Sequence, residues 1–300
     1  MSKRKLSDAE RAERRQQDRQ KAQQAVEALR SSEGWQRWLG ARRHFHAYSL
    51  GNQLLIAQQC PGATRVAGFK AWIALGYCVR RGERAIRIWV PMRVRDREAE
   101  DPKAKRTIFR LGPVFDRSQV DPLPPPAEPT PLDPPIVAVE GDSHRSLLEP
   151  LNTLAAELGV SVDFTEIPGD AQGFYAPSKR RIAISSALAA NAQVATLIHE
   201  LGHALAALGR EDGDPQLSYA AEELVVESVA FTVAGSVGLD TIGETAPYLA
   251  SWAQSAPLET IEATAKQIDR LARRIEDALE GAARAAEAQQ DPCEGVPQAA

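Results

Sequence analysis

The pentapeptide His199-Glu200-Leu201-Gly202-His203 lies in an apolar run that follows a predicted strand, Arg181-Ile182-Ala183-Ile184. Its two histidines are four residues apart, so a helix places both on one face, one above the other. Two imidazoles arranged in this way bind one zinc ion, and the adjacent Glu200 can act as general base on the metal-bound water. Two of the chain's five histidines form this pair. The pattern predicts a zinc-dependent peptidase site with Glu200 as its catalytic residue.

A hydrolytic zinc ion takes a third protein ligand and leaves its fourth position to water. The candidates lie in Ala221-Glu222-Glu223-Leu224-Val225-Val226-Glu227-Ser228, a largely apolar predicted helix. Carboxylates on such a helix are expensive to bury without a partner, and a cation is a good reason for them. Glu223 and Glu227 share one face, whereas Glu222 points elsewhere. The residue types therefore leave Glu223 and Glu227 both open as the third ligand.

Two resemblances bear on that choice. Glu223 follows His203 by twenty residues and has an acidic residue four positions later, which resembles the gluzincin peptidases of the thermolysin kind. That resemblance implies that Glu223 binds Zn²⁺ and that Glu227 orients a histidine. Glu227-Ser228-Val229-Ala230-Phe231 can instead be aligned with the Glu-x-x-Ala-Asn of peptidases resembling the IrrE and ImmA group, although without its Asn. Glu227 would then be the ligand.

Proline content and charge both divide the chain near its middle. Eight of its twenty prolines fall within residues 121–135, and such a segment favours an extended linker because proline lacks the amide donor. Residues 31–118 hold 17 Lys/Arg and 7 Asp/Glu, whereas residues 119–300 hold 10 and 28. A basic half joined to an acidic half indicates two domains with different partners.

These signals predict an α+β chain of two domains, a basic α+β nucleic-acid-binding domain and a zincin-like metallopeptidase domain. The predicted segments are a charged arm that is either disordered or a frayed helix (1–30), the nucleic-acid-binding domain (31–118), a proline-rich linker (119–142), the peptidase domain (143–280) and a disordered tail (281–300).

Hydrophobic periodicity predicts the main elements within each domain. In the basic domain these are helices over 49–59 and 69–75 and strands over 85–91 and 107–115. In the acidic half they are a helix over 147–158, strands over 160–164, 173–175 and 181–184, a helix capped by Ser185 that runs to 208, and helices over 219–237 and 258–280. The strand 181–184 precedes the histidine pair and is predicted to be the sheet edge that pairs with an extended substrate.

The composition argues against export and membrane insertion. No apolar run reaches the roughly 18 residues that span a bilayer, and residues 1–30 lack the apolar core of a signal peptide. The three cysteines, Cys60, Cys78 and Cys293, are scattered and form no CxxC pair, so neither a disulfide framework nor a cysteine zinc site is indicated. A cytoplasmic protein without a membrane partner is expected.

The basic domain interleaves cations with aromatic residues, among them Phe69, Tyr77 and Trp89. Single-stranded nucleic acid is held by such mixtures, because cations follow the phosphates and aromatic faces stack on bases. Asn52 and Gln53 either contact the nucleic acid or serve as polar caps. The predicted nucleic-acid-binding residues are Asn52, Arg65, Lys70, Trp72, Arg80, Arg81, Arg84 and Arg87.

Several separate motifs, in order along the chain, resemble the ArdC-type antirestriction proteins. They are Tyr48-Ser49-Leu50-Gly51-Asn52-Gln53-Leu54-Leu55-Ile56, Ala63-Thr64-Arg65-Val66-Ala67-Gly68-Phe69, Val79-Arg80-Arg81-Gly82-Glu83-Arg84-Ala85-Ile86, Val114-Phe115-Asp116 and Ser218-Tyr219-Ala220-Ala221-Glu222-Glu223-Leu224-Val225. The resemblance implies a domain that binds single-stranded DNA, a zincin-like metallopeptidase domain that takes Zn²⁺ and a protein substrate, and a place on plasmids and other mobile elements.

The sequence is also compatible with two other functions. One is a non-catalytic protein that shields DNA and has a structural zinc site, and the other is a regulatory peptidase that cleaves a repressor. Glu200 counts against the first, because a purely structural zinc site has no use for a base beside its ligand.

Overall fold

The computed structural model describes residues 8–45, 47–95, 105–124, 129, 137–138, 141–212, 214–215, 218–240 and 256–290. The chain divides into two compact units, one of Met1–Pro134 with Ala246–Glu262 and the other of Pro135–Thr245 with Ala263–Ala300. Most of the predicted proline-rich linker, and the tail beyond Gln290, lie outside the described residues.

The first unit mixes helices with short antiparallel sheets. Its elements are α1 (Asp8–Glu27), α2 (Ser32–Arg42), α3 (Leu50–Gln59), β1 (Val66–Ala67), α4 (Phe69–Ala74), β2 (Tyr77–Val79), β3 (Ile86–Arg95), β4 (Lys105–Asp116) and β5 (Val120–Pro122). One sheet has the order β1-β4-β3, and β2 pairs with β5. The predicted helices and strands of this unit are confirmed, and β3 and β4 are longer than predicted.

The core of the first unit follows from the alternation along β3. Ile86 and Ile88 are buried and pack with Ile56 of α3 and Val114 of β4, whereas the residues between them turn to the other face. The short helix α4 ends as predicted, because Gly76 takes the left-handed conformation (φ 84°) that glycine adopts without strain.

The second unit packs helices against a mixed three-stranded sheet. Its elements are β6 (Val137–Ala138), α5 (Leu148–Glu157), β7 (Ser161–Thr165), β8 (Gly173–Ala176), β9 (Arg181–Ser185), α6 (Ala190–Leu208), α7 (Tyr219–Ser236), β10 (Leu239–Asp240) and most of α8 (Leu258–Gln290). The first residues of α8, up to Glu262, belong to the first unit. The strand order is β7-β9-β8, with β9 parallel to β7 and antiparallel to β8. The predicted elements are confirmed with boundary shifts of a few residues.

Two details of this unit differ from the prediction. Ser185 does not cap α6, which begins at Ala190 after Ala189. Ser185 instead ends β9, where its backbone N–H donates to the carbonyl of Gln172. The strand 181–184 is also not the sheet edge, because β9 lies between β7 and β8. The exposed edge next to α6 belongs to β8, since a strand paired on one side only keeps unpaired backbone groups.

Both ends of the described chain are more helical than predicted. In the N-terminal arm, Asp8–Glu27 form a helix. Of the two alternatives predicted for this segment, the described residues therefore adopt the helical one. The prediction of disorder is wrong for residues 281–290, because α8 continues to Gln290. That segment is rich in alanine, the residue with the highest helix propensity, and it extends a helix already anchored by the buried Ile261, Ile268 and Ile275. In the described part of the chain, no helix has the length and apolarity to cross a membrane.

Candidate functional site

The two histidines of the pentapeptide converge on one point above α6. Nε2 of His199 and Nε2 of His203 lie 3.2 Å apart, and the two rings are inclined by 73°. Two nitrogen ligands of a tetrahedral zinc ion, each at about 2.0–2.1 Å from the metal, lie about 3.3 Å from each other. The separation of the two Nε2 atoms therefore fits two ligands of one metal ion.

Helix α7 brings two carboxylates to the same place. Oε2 of Glu223 lies 3.7 Å from Nε2 of His203, and ligand atoms of His199, His203 and Glu223 all lie within 4.8 Å of one another. Oε1 of Glu227, one turn further on, lies 3.7 Å from Nδ1 of His199. Glu223 thus faces the point on which the histidines converge, and Glu227 faces the other nitrogen of the His199 ring.

Close packing of α6 on α7 makes this arrangement possible. A Cβ atom at position 202 would lie 3.0 Å from Cγ1 of Val226, so a methyl group there would require Val226 to shift by a few tenths of an ångström. Leu201 and Val226 are fully buried on either side of this contact. Gly202 therefore holds the carboxylates of α7 within reach of the histidines.

Glu200 occupies a buried position beside the convergence point. Only 6% of its surface is exposed, and this burial raises the pKa of Glu200 to about 7, assisted by the negative charges of Glu223 and Glu227. The backbone N–H of Tyr175 donates to its carboxylate and opposes the rise. Burial also lowers the pKa of His203, which favours the neutral imidazole that binds metal ions.

The convergence point lies in a cleft of about 570 Å³ that is lined by β8, α6, α7 and α8. On β8, the hydrogen bond from Ser185 N–H to Gln172 O places Gln172 on the paired side, so by alternation Gly173 and Tyr175 direct their backbone groups away from β9. One of these groups, the N–H of Tyr175, reaches Glu200. Gly173 allows β8 to approach α6, because a Cβ atom there would lie 2.6 Å from Cγ2 of Thr196.

Sequence reasoning missed a buried polar residue of this cleft, Gln267 of α8. Its side chain is 7% exposed, it lines the cleft, and its Oε1 has no hydrogen-bond partner among the described residues. Nothing local in the sequence could have found it, because it lies more than sixty residues beyond the histidine pair, on a helix whose buried residues are mostly apolar.

Comparison with known proteins matches both halves of the chain to protein families. Residues 11–115 match the family model of the N-terminal domain of the anti-restriction factor ArdC, and residues 150–273 match a zincin-like metallopeptidase model. The chain therefore matches the model of an ArdC-type N-terminal domain, followed by that of a zincin-like metallopeptidase domain. Its zincin-like domain implies a divalent metal ion, for which the donor set of His199, His203 and Glu223 is suitable.

Individual relatives are more distant. The chain is 29% identical over 206 residues to the uncharacterized protein y4eC of Sinorhizobium fredii (strain NBRC 101917 / NGR234), and the match spans 62% of each protein. It also resembles two crystal structures of the antirestriction ArdC protein from the R388 plasmid. The metal-free structure has 18% identity and a TM-score of 0.46, with 77% of this chain and 85% of that chain covered. The Mn(II)-bound structure has 20% identity and a TM-score of 0.44, with 76% and 87% covered.

In the ArdC-type N-terminal domain, two of the predicted nucleic-acid-binding residues prove to be structural. Trp72 is fully buried and donates from Nε1 to the carbonyl of Phe115 at 2.8 Å. Asn52 is 8% exposed. Its amide accepts from the N–H of Trp89 at 2.7 Å and donates to the carbonyl of the same residue at 2.9 Å. Asn52 thereby takes the place of a neighbouring strand along β3, and neither side chain is available to nucleic acid.

The predicted cations lie on several elements of this domain. Arg80 pairs with Glu83 at 3.1 Å and with Asp121 at 3.2 Å, and the hydrogen bond to Asp121 is the largest influence that raises its pKa. Two carboxylates therefore lie beside its guanidinium group, which remains exposed. The remaining predicted cations are Lys70, Arg81 and Arg84, which are exposed, and Arg65 and Arg87, which are half-buried.

Proposed function

We propose that this chain is a zinc metallopeptidase of the antirestriction type that binds single-stranded DNA and protects or assists incoming mobile DNA. The observation that carries the proposal is the convergence of His199, His203 and Glu223 on one point beside the buried carboxylate of Glu200. Two imidazoles and one carboxylate form the donor set of a hydrolytic zinc site, which keeps its fourth position open for water. Glu200 lies beside this donor set, as a general base for that water would.

In this proposal His199, His203 and Glu223 hold the metal ion. When bound, a zinc ion supplies Lewis-acid chemistry that activates water and polarises a peptide carbonyl. Glu227 is the residue that orients His199, since it faces Nδ1 of that ring at 3.7 Å. The donor set also suits other divalent ions such as Mn²⁺, and the metal assay below compares the two.

Glu200 takes the proton of the attacking water and delivers it to the leaving amine. A carboxylate in this position first accepts the proton and then donates it, and its burial favours the protonated form that donates. The N–H of Tyr175 holds the carboxylate in place, so β8 positions the base as well as lining the cleft.

An extended peptide is the substrate conformation that suits this cleft. The backbone groups of Gly173 point away from β9, and Gly173 and Phe174 line the cleft. A peptide that adds to the edge of β8 pairs with these backbone groups whatever its side chains are. Its scissile carbonyl would then lie between β8 and α6, next to Glu200.

The test uses the full chain and its Glu200→Gln variant. We expect both proteins to contain about one zinc ion per chain by elemental analysis after loading with zinc, and less manganese after loading with manganese, because imidazole nitrogen favours zinc. Only the unmodified chain should cleave fluorescent casein in the presence of a single-stranded oligonucleotide, with at least about 100-fold less cleavage in the variant.

Two outcomes would overturn parts of this proposal. Cleavage that persists in Glu200→Gln would show that another group is the base. Protein that retains no metal ion after incubation with zinc would contradict the assignment as a metallopeptidase. DNA binding by a metal-loaded chain that cleaves nothing would favour the DNA-shielding function instead.

A further inference from the structure

Strands β3 and β4 form a long antiparallel ribbon whose register sorts its residues onto two faces. Arg87 lies opposite Pro113, Trp89 opposite Leu111, Pro91 opposite Phe109, Arg93 opposite Thr107 and Arg95 opposite Lys105. Cross-strand partners share a face, and the next pair on that face follows after two residues, about 6.6–6.8 Å along the ribbon. We call the face that carries Arg87, Trp89, Arg93, Lys105 and Phe109 the ribbon face.

The outer part of this ribbon is not packed in the core of its unit. Near its base, Ile86 and Ile88 are buried on the face opposite the ribbon face. Further out, both faces are exposed: Met92 of the opposite face is 42% exposed, and Phe109 of the ribbon face is 64% exposed. A phenylalanine exposed to this extent gains little from folding, and its ring is accessible to a ligand that can stack on it.

The paired residues of the ribbon carry charge of one sign, and β4 ends beyond them at the buried Asp116. Residues 86–95 and 105–115 contain three arginines in β3, two arginines and a lysine in β4, and no aspartate or glutamate. Arg93 and Lys105 are exposed on the ribbon face. Both signs of charge occur in the connecting residues 96–104, which lie outside the described part of the chain.

We propose that the ribbon face is the surface on which this chain binds single-stranded nucleic acid, with Phe109 stacking on a base and Arg93 and Lys105 binding the phosphates on its outer side. The inference rests on the proposed DNA-binding function and gives it a location that differs from the turn around Arg80. Exposed aromatic rings between cations suit a single strand, because its bases are free to stack on protein side chains. A duplex keeps its bases stacked on each other and offers Phe109 no equivalent partner.

The first test compares Phe109→Ala with Met92→Ala in the full chain. Both substitutions remove an exposed apolar side chain from the outer ribbon, but on opposite faces. Fluorescence anisotropy with a labelled oligothymidylate should show affinity reduced about 5-fold or more for Phe109→Ala and changed less than about 2-fold for Met92→Ala. Phe109→Trp should restore binding, since it keeps an aromatic face. Equal losses in the two alanine variants would overturn the proposal.

The second test removes equal charge from the two faces. Arg93→Gln with Lys105→Gln acts on the ribbon face, and Arg106→Gln with Arg110→Gln acts on the opposite face. The first pair should reduce the slope of log affinity against log salt by about 1.4, because each phosphate contact contributes about 0.7 for single strands. The second pair should reduce this slope by less than half as much. Equal reductions would show that the total charge of the ribbon, and not one of its faces, determines binding.

The two proposals fail in different ways. An unmodified chain that does not bind the oligonucleotide at low salt removes the DNA-binding function itself. If the unmodified chain binds well and the Phe109→Ala and Arg93→Gln/Lys105→Gln variants bind equally well, the ribbon face is not the binding surface. The DNA-binding function itself would still stand. Stronger binding of duplex than of single strand, with the same dependence on Phe109, would overturn the assignment to single strands.

Discussion

Oε1 of Glu227 lies 3.7 Å from Nδ1 of His199, while Nε2 of the same ring lies 3.2 Å from Nε2 of His203. One imidazole thus faces a carboxylate with one nitrogen and the convergence point with the other. Outer-shell carboxylates fix the tautomer and orientation of metal-binding histidines in this manner. The proposed site therefore gives Glu227 and Glu223 different roles, which substitution can separate.

Glu223→Ala should abolish tight binding of zinc, because it removes the only carboxylate oxygen among the three converging ligand atoms. Glu227→Ala should keep the metal but weaken its binding by about 10- to 100-fold. Competition with a coloured chelator measures both affinities. A larger loss in Glu227→Ala than in Glu223→Ala would make Glu227 the ligand.

Gly173→Ala should destabilise the second unit by about 1–3 kcal/mol, because the new methyl group would lie 2.6 Å from Cγ2 of Thr196 and 3.0 Å from the carbonyl of Ala183. Cleavage should fall as well, since a displaced β8 moves the N–H of Tyr175 away from Glu200. Urea unfolding and casein cleavage provide the two measurements. Adding Thr196→Ser removes the closest contact and should restore part of both losses. No rescue in the double variant would show that the backbone contact dominates.

Gln267→Leu should stabilise the fold and impair cleavage. The Oε1 atom is buried without a hydrogen-bond partner among the described residues, and a buried unsatisfied acceptor costs about 1–3 kcal/mol. If this oxygen accepts a substrate N–H, the variant should raise KM for casein while kcat stays within about 2-fold. The midpoint temperature of thermal unfolding should rise by a few degrees. A more stable variant with unchanged KM would leave Gln267 without a role in substrate binding.

Asp116→Asn should destabilise the first unit in a pH-dependent way. Asp116 is 1% exposed and accepts hydrogen bonds from the N–H groups of Thr64, Arg65 and Ser118. Burial by itself would raise its pKa, but these hydrogen bonds prevail and lower the pKa below the ordinary value of 3.8.

Because the folded-state pKa of Asp116 is the lower one, its carboxylate stabilises the fold above about pH 4 and loses that contribution as the pH falls through the folded-state value. The loss in Asp116→Asn should therefore be about 1–3 kcal/mol at pH 7 and smaller at pH 3. Urea unfolding at both pH values measures it. A loss of the same size at pH 3 would mean that shape rather than charge stabilises this turn.

Local sequence determined most of the elements of this protein and the centre of its site. The spacing of His199 and His203 needs only one helix to bring both imidazoles to one face, and α6 forms over an apolar run long enough to specify it. Glu223 and Glu227 could be found for the same reason, since both lie on one face of a single helix. The proline-rich segment and the change of charge gave the two-domain organisation, in which an ArdC-type N-terminal domain precedes a zincin-like domain.

Only the tertiary structure decided which groups meet across elements. It put β8 rather than β9 at the sheet edge, buried Trp72 and Asn52 and brought Gln267 into the cleft. Aromatic and amide side chains suit a core and a binding surface equally well in a single sequence, so their type does not reveal their exposure. Phe109 shows the converse, because it alternates along β4 as a core residue would, yet 64% of its surface is exposed. The physical reason is that periodicity depends on neighbours two to four residues away, whereas burial depends on packing partners far along the chain.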